Sequence, residues 1–182
     1  MIADDVMVTV QNLTDSKVAY IVPESNVLRE FTGQQIRQIA AGELRSLYST
    51  VGGKTLIEHY LGVKEKELAS EFNISDDSFN HEYNWSMKDV DTVLKYGSLD
   101  ALKDALDFAP RGIIELIVDR AVALKIPDNN KLTAIEEATG KNVATMIRLD
   151  TELAEDKQND EKPKGRRVNS DNKAPAVERR AE

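Results

Sequence analysis

Cysteine is absent from this chain. That rules out disulfides and thiolate metal sites, and it removes any argument for an oxidising compartment. Aromatic residues make up only 5% of the chain and Trp85 is the single tryptophan, so no stacking platform for nucleic-acid bases is visible. No apolar run approaches the ~20 residues that span a bilayer. The start, Met1-Ile2-Ala3-Asp4-Asp5, lacks the basic residues and long apolar stretch of a secretion signal. The chain is therefore expected to be soluble, intracellular and not secreted. The triplets Asn12-Leu13-Thr14, Asn73-Ile74-Ser75 and Asn84-Trp85-Ser86 then read as coincidences rather than glycosylation sites.

Charge is abundant and unevenly spread. The net charge is −8, yet residues 155–182 carry eight basic and seven acidic side chains, so the negative excess belongs to the preceding part. An acidic body repels phosphate, which argues against wrapping duplex nucleic acid. Residues 155–182 are charged and almost free of large apolar side chains, the composition of a disordered tail.

Before that tail the periodicity changes once. Val6, Val8 and Val10 alternate with Met7, Thr9 and Gln11, which predicts a half-buried strand. The turn formers from Asn12 to Ser16 lead into Lys17 to Val22, and the two segments are expected to pair as a hairpin. Pro23 stops the second strand; Asn26 to Phe31 and Gln35 to Ile39 fit a third and a fourth. Four such strands suggest a small sandwich or barrel whose apolar face a helix must cover.

From about Gly42 the pattern is helical. Leu44 and Leu47 mark a first helix, broken by Gly52-Gly53. Leu56, Ile57, Tyr60 and Leu61 share a face of the next, with Gly62 as its terminating residue. Lys64 to Glu67 read as a solvated helix face, and Phe72 to Trp85 as a polar surface loop. Ser86 with Asp89 resembles a capping box ahead of Met87, Val90, Val93 and Leu94; Gly97 ends that helix and Ser98 caps another. Pro110 opens a helix apolar nearly all round, Ile113 to Leu124, expected to be the central buried one. Asp128 to Asn130 cap a short helix closed by Gly140, and a last helix carries Val143, Met146, Ile147 and Leu149. The fold class expected is α+β: a β-rich module of about four short strands over residues 1–62, a compact bundle of short helices over 63–154, and a tail over 155–182.

No catalytic constellation is present. Gly52-Gly53-Lys54-Thr55 ends like a phosphate-binding loop, but Tyr48 stands where the first glycine belongs, and a helix precedes it instead of a strand. His59 and His81 are isolated. Asp76, Asp77, His81 and Glu82 lie close in sequence without the spacing of a calcium loop. No serine sits in a nucleophile elbow. No cofactor and no metal site are expected, and the chain reads as non-catalytic.

Two charged clusters are the candidates for contact. Asp100, Asp104 and Asp107 fall on one helical face at i, i+4 and i+7, where like charges repel mildly. They form either a solvated acidic face or a patch that meets a basic partner. Lys162, Lys164, Arg166 and Arg167 form the one strongly basic run, either a solubilising stretch or an electrostatic hook. It could engage at most about four phosphates, so nucleic acid would bind weakly and with strong salt dependence.

The blocks VQNLTDSKVAYIVPESNVLREFTGQQIRQIAAGELRSLYSTVGGKTLIEHYL and YGSLDALKDALDFAPRGIIELIVDRAVAL, followed by ATGKNVATMI, resemble an uncharacterised group of small proteins encoded by tailed bacteriophages. In that group a β-rich start precedes a Leu-Asp-Phe-Ala-Pro segment, and the likeness covers roughly residues 6 to 150. It implies a phage origin and a role in virion assembly or host takeover, with no activity or catalytic residue to carry over. The leading expectation is a phage structural or assembly protein in the virion or the bacterial host cytoplasm. It would contact other virion proteins, possess no membrane segment, and be able to form a homo-oligomer. The alternative is an intracellular regulator that binds a host protein or, weakly, nucleic acid through its basic run.

Overall fold

The structure, a computed structural model, describes residues 2–72, 74 and 82–160. It is α+β, with five short strands largely ahead of eight helices among the described residues. The strands are β1 (Met7–Asn12), β2 (Val18–Ile21), β3 (Leu28–Phe31), β4 (Ile36–Ala40) and β5 (Leu61–Val63). The helices are α1 (Ala41–Tyr48), α2 (Val51–His59), α3 (Lys66–Glu71), α4 (Met87–Tyr96), α5 (Leu99–Phe108), α6 (Arg111–Ala123), α7 (Asn129–Thr139) and α8 (Val143–Asp160).

Val8 and Val10 are buried in β1 as the alternation predicts, but Val6 precedes the strand and is exposed, Gln11 is buried, and the strand's partners are not the expected ones. β1 lies in the middle of a three-stranded antiparallel sheet, β4-β1-β5, with Val8 opposite Ile39 and Val10 opposite both Arg37 and Val63. β2 pairs with β3 in a separate two-stranded sheet, with Val18 opposite Phe31 and Ile21 opposite Leu28. The expected β1–β2 hairpin is therefore replaced by a corner. Asn12, fully buried, makes that corner: its Nδ2 donates to the carbonyls of Ser16 (2.7 Å) and Thr32 (2.9 Å). Its Oδ1 accepts from the Thr14 amide at 3.0 Å and from the Thr14 hydroxyl at 3.1 Å. A side chain with all its groups engaged turns the chain out of the first sheet and into the second.

Gly62 also differs from expectation. It belongs to β5 rather than ending α2, and it pairs with Gln11. A Cβ there would come within 2.6 Å of the Asn84 side-chain oxygen and 2.9 Å of Leu13, so this strand passes the neighbouring segments too closely for a side chain. Gly52 and Gly53 do not break a helix but begin α2; the interruption is at Ser49-Thr50, and the Thr50 hydroxyl accepts from the Gly53 amide at 3.0 Å. The stretch from Phe72 to Trp85 is more than a polar loop, since Phe72, Ile74 and Tyr83 are buried.

Two hydrophobic cores result. One lies between the sheets and α1–α3, around Val8, Phe31, Leu44, Ile57 and Leu68. The other lies among α4–α8, around Val90, Leu102, Ile113, Leu116, Ile117 and Ile135. Each fully buried aliphatic side chain stabilises the fold by about 1.5–3 kcal/mol relative to exposure. α6 is the centre of the second core, as its nearly all-round apolar sequence requires.

Polar contacts tie the two cores together. Leu13 leaves β1 to join the helical core. Gln34, held at φ 56° where side chains are rarely found, donates to the Asn12 carbonyl and accepts from the Met87 amide at 3.0 Å. That bond satisfies one of the unpaired amides that open α4. Gly112 lets the first turn of α6 lie 2.8 Å, measured from where a Cβ would be, from the His59 carbonyl.

Candidate interaction surface

α5 exists because Ser98 accepts from the Ala101 amide at 3.1 Å and because Leu102, Ala105 and Leu106 are buried on one side. Asp100, Asp104 and Asp107 all remain exposed on the other side, so the spacing places them on a shared face as read from the sequence. Their surroundings differ. Asp100 lies in the first turn, where the positive end of the helix dipole favours a carboxylate. Asp104 accepts a hydrogen bond from the hydroxyl of buried Tyr83. Burial first, and then that bond to a carboxylate, pushes the Tyr83 phenol up to about 12.

Asp107 lines a shallow groove of about 260 Å³ between α5 and α7, together with Lys103, Leu106, Ala134, Glu137 and Ala138. A second groove of about 250 Å³ runs on the other side of Ala138, with Ile114 and Val118 in it and Arg111, Glu115 and Lys141 as its charges. Both are open and lined by mixed charges, and neither gathers the convergent polar groups of a small-molecule site. Among the described residues, no group of three or more histidine and carboxylate side chains could hold a metal ion.

The other sequence candidates, Lys162, Lys164, Arg166 and Arg167, lie outside the described residues, as do Asp76, Asp77 and His81 of the acidic loop. α8 continues to Asp160, six residues into the segment read as tail.

Two features that the sequence reading missed set the shape of this surface. Lys131 is 6% exposed, and its ammonium donates to the carbonyls of Leu94 (2.8 Å) and Val93 (3.2 Å). It caps the carbonyl end of α4 from the first turn of α7, which anchors one helix on the other. Arg120 grips Asp91 through two bonds of 2.7 and 2.8 Å and fastens α6 to α4. The hydrogen bonds from Arg120 outweigh the effect of burial and hold the Asp91 carboxyl below its ordinary range.

The last helix leaves part of its apolar surface uncovered, as do the cross-strand pair Ile21 and Leu28 and the single residues Val51 and Tyr96. Val143 is buried and Ile147 is packed against the helical core, but Met146, Leu149 and Leu153 point away from it and are 37%, 48% and 61% exposed. The sequence places Val143, Met146, Ile147 and Leu149 on one last helix without assigning them to faces. The helix divides them between an inward line and an outward one. No helix among the described residues is long and apolar enough to cross a membrane, α8 included. No protein-family model, curated protein or solved structure matches the chain.

Proposed function

We propose that this chain is a non-catalytic structural or assembly protein of a tailed phage, acting by docking its folded body on other virion proteins. The observation that carries the reading is the row of exposed apolar side chains on α8. Singly exposed apolar residues are ordinary, whereas Met146, Leu149 and Leu153 aligned along one helix offer a surface on which a partner could dock. The likeness of the blocks around residues 6–150 to small phage proteins supplies the setting.

The experiment is a deletion placed after α8, removing residues 161–182, made in the gene of the source phage. Docking through the body predicts that the truncated protein still accompanies gradient-purified particles through a high-salt wash.

A second reading is favoured by one observation, the run Lys162, Lys164, Arg166 and Arg167. A regulator that uses this run as an electrostatic hook would bind a host protein or nucleic acid in a strongly salt-dependent way. The same deletion would abolish that binding, and the protein would be abundant in infected cells but missing from particles.

A further inference from the structure

β2 pairs with β3 alone, so its other edge has no strand beside it. The Val22 amide donates to the Val27 carbonyl at 2.9 Å, which makes these two a hydrogen-bonded pair at the end of the ladder. Antiparallel pairs alternate, so Tyr20 with Arg29 and Val18 with Phe31 are bonded in the same way. The amides and carbonyls of Ala19 and Ile21 therefore point out of the sheet edge. Among the described residues, no loop backbone bonds those groups. The corresponding edge of β3 is closed, because Arg37 donates to the Glu30 carbonyl at 2.8 Å. An open strand edge is a template on which another strand can pair.

The side chains along this edge say what fits it. Val18, Tyr20 and Val22 are buried, whereas Ala19 and Ile21 lie on the outer face, where Ile21 is 59% exposed beside Leu28 at 58%. Charge is balanced here. Residues 17–31 hold Lys17 and Arg29 against Glu24 and Glu30, in a chain of net charge −8. A second copy that approaches by this edge meets no local excess of like charge. Lys17 stands just before β2 and Glu24 shortly after it, both exposed. An antiparallel copy therefore brings each lysine toward the other's glutamate, twice over. The chain's own residues 161–182 offer two valines and two prolines and no alternating apolar run, a poor strand to add.

We infer that the β2 edge is a self-association surface, on which a second copy pairs antiparallel with Ala19 of each chain opposite Ile21 of the other. The two hairpins then form one four-stranded sheet, and the outward groups of Ala19 and Ile21 all find partners. The neighbouring registers fit less well. A shift toward Pro23 sets Ala19 against a residue with no amide to donate. The opposite shift sets Lys17 against Ile21 and takes it away from Glu24. In the chosen register Ile21 has Leu28 on one side and the small Ala19 of the second copy on the other. Main-chain bonds rather than buried area hold such a pairing, so the dimer belongs to the weak, concentration-dependent class. This inference stands apart from the docking reading, and neither needs the other.

Sedimentation equilibrium of the full chain over a concentration series should show a monomer–dimer equilibrium. Ala19→Pro removes an outward amide that β3 does not use, and it should weaken association at least ~10-fold. Ile21→Lys sets a charge on the edge and should do the same. Both positions are exposed, and far-UV circular dichroism checks that each variant folds. Because the chain has no cysteine, the register can be read by crosslinking. In the double variant Ala19→Cys/Ile21→Cys each introduced thiol faces one on the other copy, with Cα atoms about 5.5 Å apart, inside disulfide range. Mild oxidation should give a covalent dimer, and either single variant should crosslink at least ~10-fold more slowly. A wild-type chain that stays monomeric up to ~0.5 mM would overturn the inference, even if another protein's strand then protects the Ala19 and Ile21 amides from exchange. So would a dimer that Ala19→Pro leaves equally tight, or a single cysteine variant that crosslinks as fast as the double.

Discussion

At the scale of single residues, the buried polar side chains of Asn12, Thr14 and Lys131 each have a named partner, and Lys131 and the buried phenol of Tyr83 make measurable predictions. Lys131 lies in the first turn of α7, where a cation faces the positive end of its own helix dipole, so its burial needs compensation. The carbonyls of Val93 and Leu94 supply it. Lys131→Met keeps the stem and removes the donor, and urea unfolding should show a loss of about 1–3 kcal/mol from carbonyls left without a partner. Tyr83 is the second case. Because its phenol is raised to about 12, its contribution is complete below the unfolded value of about 10 and is lost as pH climbs from there toward the folded value. Tyr83→Phe should cost about 1–2 kcal/mol at neutral pH, and its difference from wild type should shrink above pH ~10.

At the scale of elements, the helix ends were the most legible part of the sequence. Ser86 with Asp89 forms a full capping box, Ser98 and Asp128 cap α5 and α7, and Gly140 closes α7 at φ 71°. These signals are local: one side chain and amides two or three residues away. Strand partners were not legible, because β1 bonds to β4 and β5, which lie far along the chain from it. A turn-rich stretch after a strand suggests a hairpin, and nothing in Asn12 alone announces that it will bond to Thr32. Gly62 was misread for a related reason, since a glycine after an apolar stripe looks the same whether it ends a helix or lets a strand pass Asn84. The α4–α6 attachment gives this scale its prediction. Arg120 depresses the Asp91 carboxyl, so the pair stabilises fully above the unfolded value near pH ~4 and fades as pH falls through the folded one. Asp91→Asn should lower stability by about 1.5–3 kcal/mol at neutral pH, and the gap should close in acid-unfolding curves below pH ~4.

At the scale of the whole molecule, two cores meet at a corner built by Asn12, Thr14 and Gln34. Leu13 enters the helical core between residues that serve the sheets, so the two parts share backbone as well as contacts. Asn12→Ala should therefore destabilise both, by about 2–4 kcal/mol for several buried groups left unpaired. Hydrogen exchange should rise together in β1 and in α6 rather than in one alone. The candidate surface was legible only in outline. Spacing placed Asp100, Asp104 and Asp107 on one face, but the partner of Asp104 came from Tyr83, in a stretch whose polarity hid it. In α8, periodicity showed apolar residues without showing that the body covers only the line through Val143 and Ile147.

We propose that the folded body docks on other virion proteins, and quantitative mass spectrometry of gradient-purified particles from the source phage is the measurement that decides it. Docking of the body predicts a fixed copy number per particle that survives a high-salt wash. Absence from particles, with the protein abundant in infected cells, would contradict it.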